Sequence, residues 1–289
     1  MAISGLSIIG ESINDSVPST NKLFEAHDID GIVALAKTQD EKGAAYIDVN
    51  VGLRSPEFMA EMVGKIQAVT DKPLCIDTPD PKIAAAGLKA YNAARAGGAL
   101  PILNSISQLR MEMLDLYTIQ PFKPILMVSE RAEGSTRAPN QTAEQTYETT
   151  KALIKAIRQS PYKIPTDHFI VDTGIAPIGS DYEKQLKRVI ESLRLIHGDR
   201  DLAGIHASVG LSNFTVMLPP KRADGSPVKS ALESAFLTMA MPLGLDMVIG
   251  SVARKYEVLA ETHAAMVCLK KVLASDGYDA LEHVMAFYS

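Results

Sequence analysis

Residues 169–209 read FIVDTGIAPIGSDYEKQLKRVIESLRLIHGDRDLAGIHASV: an apolar run, a helical stretch and a second apolar run. Phe169–Asp172 and Ala203–Val209 have the length and composition of buried strands. Between them, Tyr182 to His197 sets Leu186, Val189, Ile190, Leu193 and Ile196 on one face at the helical period. Two strands joined through a helix cannot form a hairpin, so the unit predicts parallel neighbours.

The same unit recurs outward in both directions. Apolar runs at Leu6–Gly10, Ala45–Val51, Pro73–Asp77, Leu100–Asn104 and Pro124–Ser129 precede it, and Asp246–Gly250 follows. Stretches of helix character separate them, and Val258 to Leu273 repeats the helical pattern after the last strand. Asp28, Asp80 and Ser180 stand where N-caps are expected. Eight such units within 289 residues is the count of a closed (β/α)8 barrel of the TIM type. A doubly wound open sheet would carry a Gly-rich phosphate turn after its first strand, and Gly10-Glu11-Ser12-Ile13-Asn14 is not one. No linker, repeat or low-complexity segment interrupts the chain, so one domain over residues 1–289 is expected.

Composition excludes several classes of function. Apolar residues make up 46% of the chain, enough for a continuous core, and the net charge of −5 comes with no basic run for nucleic acid or a membrane surface. Cys75 and Cys268 are the only cysteines, too few for a disulfide framework or a cysteine zinc site. The six histidines show no paired spacing, so no resident metal is expected. The first residues lack a signal-peptide pattern and no apolar run reaches membrane-spanning length; a soluble cytoplasmic protein is the expectation. Cys75 reads as a small core hydrophobe, and Met239, Met241 and Met247 as core filler or a dimer face.

In such barrels chemistry gathers at the carboxyl ends of the strands. Those ends offer Glu11 and Asn14, then Asp48 and Asn50, Asp77, Asn104 and Ser105, and Ser129 with Glu130 and Arg131. Asp172 follows, then Ser212 and Asn213, then Ser251 and Arg254. The set is rich in Asp and Asn and contains no Lys, which disfavours a Schiff-base aldolase. Ionised Asp only accepts hydrogen bonds, whereas Asn both donates and accepts. Together they fit a neutral heterocycle with amide-like edges and fit a phosphosugar badly. Asp and Asn also cap helices and close turns, a reading that weakens for Asp77, Asn104 and Asp172 taken together.

Six segments carry a resemblance: IIGESIN (8–14), GAAYIDVNVG (43–52), PLCIDT (73–78), PILNSIS (101–107), FIVDTGIAP (169–177) and VGLSNF (209–214). In this order they resemble the pterin-binding barrels, and within them the corrinoid-dependent methyltetrahydrofolate methyltransferases. That group includes the folate-binding domain of cobalamin-dependent methionine synthase. The resemblance implies that Asp77, Asn104 and Asp172 hold the pterin ring, with Asp48 and Asn50 behind them and Glu11 at the same mouth. It implies that Asn213, with Ser212 beside it, meets the pterin N5. The family's usual Gln after that Asn is missing, since Phe214, Thr215, Val216 and Met217 follow. Lys221 or Arg222, in the long loop from Pro219 to Pro227, is placed to meet the folate's glutamate tail.

The activity implied is methyl transfer between N5 of (methyl)tetrahydrofolate and the cobalt of a corrinoid, one component of a demethylating or a methyl-supplying system. No Asp-x-His-x-x-Gly segment for a cobalt ligand occurs, so the corrinoid is expected on a separate protein docked at the mouth. A homodimer is implied by the family. Tetrahydromethanopterin is the other pterin that such a pocket accommodates. Two alternatives stand beside this reading. One is a dihydropteroate synthase-like arylamine transferase, whose basic pyrophosphate readers are missing from Gly210–Asn213 and Gly250–Arg254. The other is a non-catalytic folate-binding subunit.

Overall fold

The computed structural model describes residues 3–289. Its strands, in chain order, are β1 (Ser7–Asn14), β2 (Tyr46–Asn50), β3 (Leu74–Asp77), β4 (Ile102–Ile106) and β5 (Lys123–Met127), then β6 (Glu130–Glu133), β7 (Thr136–Pro139), β8 (Ile170–Asp172), β9 (His206–Ser208) and β10 (Met247–Gly250). Eight of them form one parallel sheet in the order β10-β1-β2-β3-β4-β5-β8-β9. Its two edges meet: Asp246 N donates to Ala207 O at 3.3 Å and Ile249 N donates to Val209 O at 3.0 Å. The result is the (β/α)8 barrel anticipated from the apolar runs.

The helices are α1 (Pro18–Glu25), α2 (Ile29–Glu41), α3 (Pro56–Gln67), α4 (Pro81–Ala90) and α5 (Ala143–Arg158), then α6 (Gln185–Gly198), α7 (Leu211–Phe214), α8 (Lys229–Ala240), α9 (Ala264–Ala274) and α10 (Tyr278–Tyr288). Asp28 and Asp80 cap α2 and α4 as expected, accepting from Gly31 N and from Lys82 and Ile83 N. Ser180 does not cap α6. The chain turns through Lys184 at φ 62°, and Asp181 accepts from Gln185 N and Leu186 N at 2.7 Å each. α6 therefore starts three residues after Tyr182. The helix expected from Val258 starts only at Ala264, capped by His263.

Two further expectations change. The passage from β4 to β5 is made by 3-10 turns over Met111–Thr118 and not by an α-helix. Glu130 and Arg131 do not end a barrel strand; β5 stops at Met127 and they open the antiparallel β6–β7 hairpin, which turns at Gly134 with φ 62°.

The barrel interior is built in layers. Ile9, Cys75, Ile102, Ile125, Ile170 and Met247 form an inner apolar cluster, separate from the two larger cores between strands and helices. Side chains two residues apart on a strand share a face. Two steps toward the carboxyl end from Cys75, Ile102 and Ile170 stand Asp77, Asn104 and Asp172. One apolar layer thus supports one polar layer. Cys75 is a buried core residue, as its sequence position predicted.

Candidate active site

The register assembles the polar layer. Asp48 pairs with Cys75, Asp77 with Asn104, Met127 with Asp172, and Asp172 with Ser208. Asn50, at the end of β2, donates from Nδ2 to Asp77 Oδ2 at 2.8 Å, and its Oδ1 accepts from Gly52 N at 2.9 Å. Asp77 is thereby oriented, and its other oxygen makes no hydrogen bond to a described residue. Asp172 is held similarly: Oδ1 accepts from Gly174 N at 2.7 Å, while Gly174 sits at φ 62° with no room for a Cβ against Ser129. Buried Arg188 on α6 fixes the same turn by donating to Thr173 O at 2.8 Å and Gly174 O at 3.2 Å.

This layer is electrostatically expensive. Burial pushes the Asp77 carboxyl up to about 6, against the Asn50 hydrogen bond and the nearby Arg110 charge. Burial pushes Asp172 up to about 6 as well, opposed by Gly174 N–H and Arg188, with the Asp77 charge adding to the rise. Asp48 lies deepest, fully buried, and burial plus the Asp77 charge raise it well above the carboxylate range, against weak hydrogen bonding from Cys75 and Asn14. The Ser208 and Thr173 hydroxyls are buried without partners among the described residues. A buried unpaired polar group costs about 1–3 kcal/mol, so a cluster of them marks a surface shaped for a polar ligand.

The β1, β9 and β10 side of the mouth is built differently. Ser212 on α7 donates to Glu11 on β1. Thr215, just after α7, donates to Glu233 of α8, and the same Glu233 oxygen takes an ion pair from Arg254 beyond β10. Burial raises both Glu11 and Glu233; Ser212 and then Arg254 pull Glu11 back, and chiefly Arg254 pulls Glu233 back. Asn213 stands between these tethers, exposed, and its carboxamide makes no hydrogen bond to a described residue. Gly210 allows the close approach: a Cβ there would come within 2.8 Å of Asn213 Nδ2.

The residues singled out from sequence therefore fall into two groups at one mouth. Asp48, Asn50, Asp77, Asn104 and Asp172 are gathered on strands, and Glu11, Ser212 and Asn213 beside the α7 turn. Arg222 is occupied elsewhere: it donates to Phe287 O at 2.7 Å and stacks on the Phe287 ring. Missed from sequence were Arg188, Thr215 and Glu233. Glu233 had one available signal, as the sole charged residue in SALESAFLTMA, the otherwise small and apolar run over 230–240.

Chemically, the polar layer presents acceptors and one carboxamide to a flat donor edge. Arginines near it are engaged: Arg110 donates to Ser105 Oγ at 3.0 Å, Arg188 to the carbonyls above, and Arg254 to Glu233. No cluster of three or more metal-ligating side chains occurs among the described residues. No helix among them is long and apolar enough to cross a membrane.

Comparisons with known proteins bear on the family and the fold. The family model described as pterin binding enzyme matches residues 13–250. A methylcorrinoid:tetrahydrofolate methyltransferase of Eubacterium limosum is 29% identical over 251 residues, covering 84% of this chain and 83% of that protein. Methionine synthase of Mycobacterium leprae is 24% identical over 96% of this chain, which spans only 23% of that larger protein. Among solved structures, dihydropteroate synthase from Thermus thermophilus superimposes with a TM-score of 0.58 at 14% identity, covering 88% of this chain and 90% of that one. The enzyme from Xanthomonas albilineans gives 0.54 at 16%, covering 95% and 96%. At such identities the structural likeness concerns the fold alone.

Proposed function

The chain belongs to the pterin-binding enzyme family, and on that premise we propose that it is a methyltransferase moving a methyl group between a corrinoid protein and N5 of tetrahydrofolate. The observation that carries the reading is the convergence of Asp77, Asn104 and Asp172 in one polar layer, Asn104 and Asp172 buried and Asp77 half-buried, with the Asn213 carboxamide, which bonds to no described residue, at its edge. Asp77 and Asp172 accept from the pterin amino and ring N–H groups, and Asn104 bridges a donor and an acceptor edge. Asn50 and Asp48 act behind them, Asn50 by aiming Asp77.

Asn213 serves N5. Its carbonyl accepts the N5–H of tetrahydrofolate, and its amino group donates to the N5 lone pair once the methyl is in place. A hydrogen bond to a group gaining charge is worth about 1.5–3 kcal/mol, roughly ten- to a hundred-fold in rate. An amide does not titrate in range, so the N5 proton leaves to water at the exposed turn. The corrinoid, held by its own protein, supplies the metal centre that exchanges the methyl group. This chain binds, orients and polarises the folate.

The partner docks over the mouth on this reading. Leu53, Leu109, Val216, Met217 and Val258, all on loops beyond strand carboxyl ends, are exposed large hydrophobics. The name of the Eubacterium limosum relative favours transfer from methylcorrinoid to tetrahydrofolate, the direction of a demethylating system. A homodimer working in the cytoplasm completes the proposal, and light scattering of the purified protein tests the dimer. The decisive assay mixes the enzyme with a methylated corrinoid protein and tetrahydrofolate in a stopped-flow spectrometer. Loss of the methylcorrinoid absorbance matched by methyltetrahydrofolate is expected; no folate-dependent change overturns the proposal.

A further inference from the structure

We infer that Thr215 and Glu233 are positioning residues that hold the α7 turn so that Asn213 alone remains free to move. The inference rests on the reading of Asn213 given above and extends it to residues that reading does not use. Three segments distant in sequence meet at Glu233: the Thr215 hydroxyl after α7, the Arg254 guanidinium after β10, and α8 itself. The opposite side of the turn is tied by Ser212 to Glu11 on β1. The residue before Asn213 and the second residue after it are thus both anchored to acidic side chains, while the Asn213 carboxamide makes no hydrogen bond to a described residue.

The cost of this arrangement argues for a task. Glu233 is completely buried, and its Oε2 has no hydrogen-bond partner among the described residues. Burying an ion pair is a poor route to stability, because desolvation offsets most of the attraction; an apolar side chain in α8 would fill the space at lower cost. What a carboxylate adds is direction. It accepts from Thr215 and Arg254 at one oxygen and so sets the turn relative to two barrel loops. Within the turn the bonds from Val216 N to Asn213 O and from Thr215 N to Ser212 O are long, both 3.4 Å. Asn213 N to Gly210 O at 3.0 Å, Leu218 N to Thr215 O at 3.1 Å and the buried Leu211 and Phe214 side chains hold its backbone, so the Thr215 tether adds direction to a turn already seated.

Thr215→Val keeps the shape of the buried side chain and removes the donor; Thr215→Ser keeps the donor. Hydrogen exchange on the whole protein reads the tether directly. Thr215→Val is expected to speed exchange of the amides over residues 211–218 at least tenfold, leaving the barrel strands unchanged, with Thr215→Ser near wild type. Unchanged exchange overturns the tether, whatever the enzyme's activity.

A double-mutant cycle reads its purpose. Thr215→Val is expected to slow single-turnover methyl transfer three- to tenfold, with folate affinity changed less than twofold. In an Asn213→Ala background it should have no further effect. An equal effect in both backgrounds means that Thr215 does not act through Asn213 and overturns the inference. If Asn213→Ala itself leaves transfer intact, the assignment of Asn213 fails, while the exchange result still stands for the tether. Should Thr215→Val fail to fold, Glu233→Gln, which keeps an acceptor for Thr215 but loses the charge for Arg254, goes through the same cycle with the same criteria.

Discussion

The two flanks of the barrel mouth solve opposite problems. On the β2, β3, β4 and β8 flank the proposed ligand-binding side chains sit on strands, buried or half-buried, and are oriented by Asn50, Gly174 and Arg188. On the β1, β9 and β10 flank the central side chain sits on a four-residue turn, exposed, with only its neighbours restrained. A rigid flank fits a ring that must be recognised in one orientation. A tethered turn fits an atom whose hydrogen-bonding character reverses during reaction. The contrast teaches that binding and chemistry are separable here, and substitutions should separate them.

Asp172→Ala should break the rigid flank most severely. It leaves a donor edge of the ligand unpaired and removes the charge facing Arg188, so folate affinity measured by calorimetry should fall about 100-fold or more. Asn213→Ala tests the other flank. The methyl-transfer rate should fall about ten- to a hundred-fold while the folate dissociation constant changes less than about threefold. Equal losses in both quantities would collapse the distinction between the flanks.

Acidity sharpens it further. On the proposed reading Asp77 and Asp172 must both be ionised to accept from the pterin, and burial lifts both to about 6. Folate affinity should therefore rise with pH through 6 and level off above about 7, with roughly a hundredfold loss by pH 5 because both groups must be ionised. The same shift acts on stability with the opposite sign. With folded values near 6 and ordinary values of 3.8, the folded protein holds protons that the unfolded chain has released between about pH 4 and 6. Stability from these groups falls as pH rises across that window and stays low above it. Asp77→Asn removes that loss, so the unliganded variant should melt about 2–6 °C above wild type at pH 7.5 in calorimetry while binding folate more weakly. The smallest effect expected is at the rim. Met217→Ser should raise the KM for the corrinoid protein a few-fold and leave folate affinity unchanged.

Much of the rigid flank was legible from the chain alone. Strand alternation carries Asp77, Asn104 and Asp172 above Cys75, Ile102 and Ile170 whatever the exact strand ends, so small boundary errors did no harm. The end of β4 at Ile106 and not Asn104 shifted no side chain to another face. Features set by single backbone torsions were hidden. The start of α6 depends on Lys184 adopting a left-handed conformation, and the β6–β7 hairpin on Gly134 doing so. The tethered flank was least legible, because Glu233 finds Thr215 and Arg254 only after the barrel closes. A lone acidic residue in a helix ordinarily faces water.

The deeply placed Asp48 has a consequence outside catalysis. On the proposed reading, a protein that buries carboxyls around the seat of its substrate is weakest when empty, and the vitamin becomes part of its architecture. A ligand at a hundred times its dissociation constant adds about 2.7 kcal/mol to a fold. Differences of that size change how much of a protein survives cellular quality control. The amount of this enzyme in a cell should follow its folate supply, with scarcity thinning the pool of molecules and plenty preserving it.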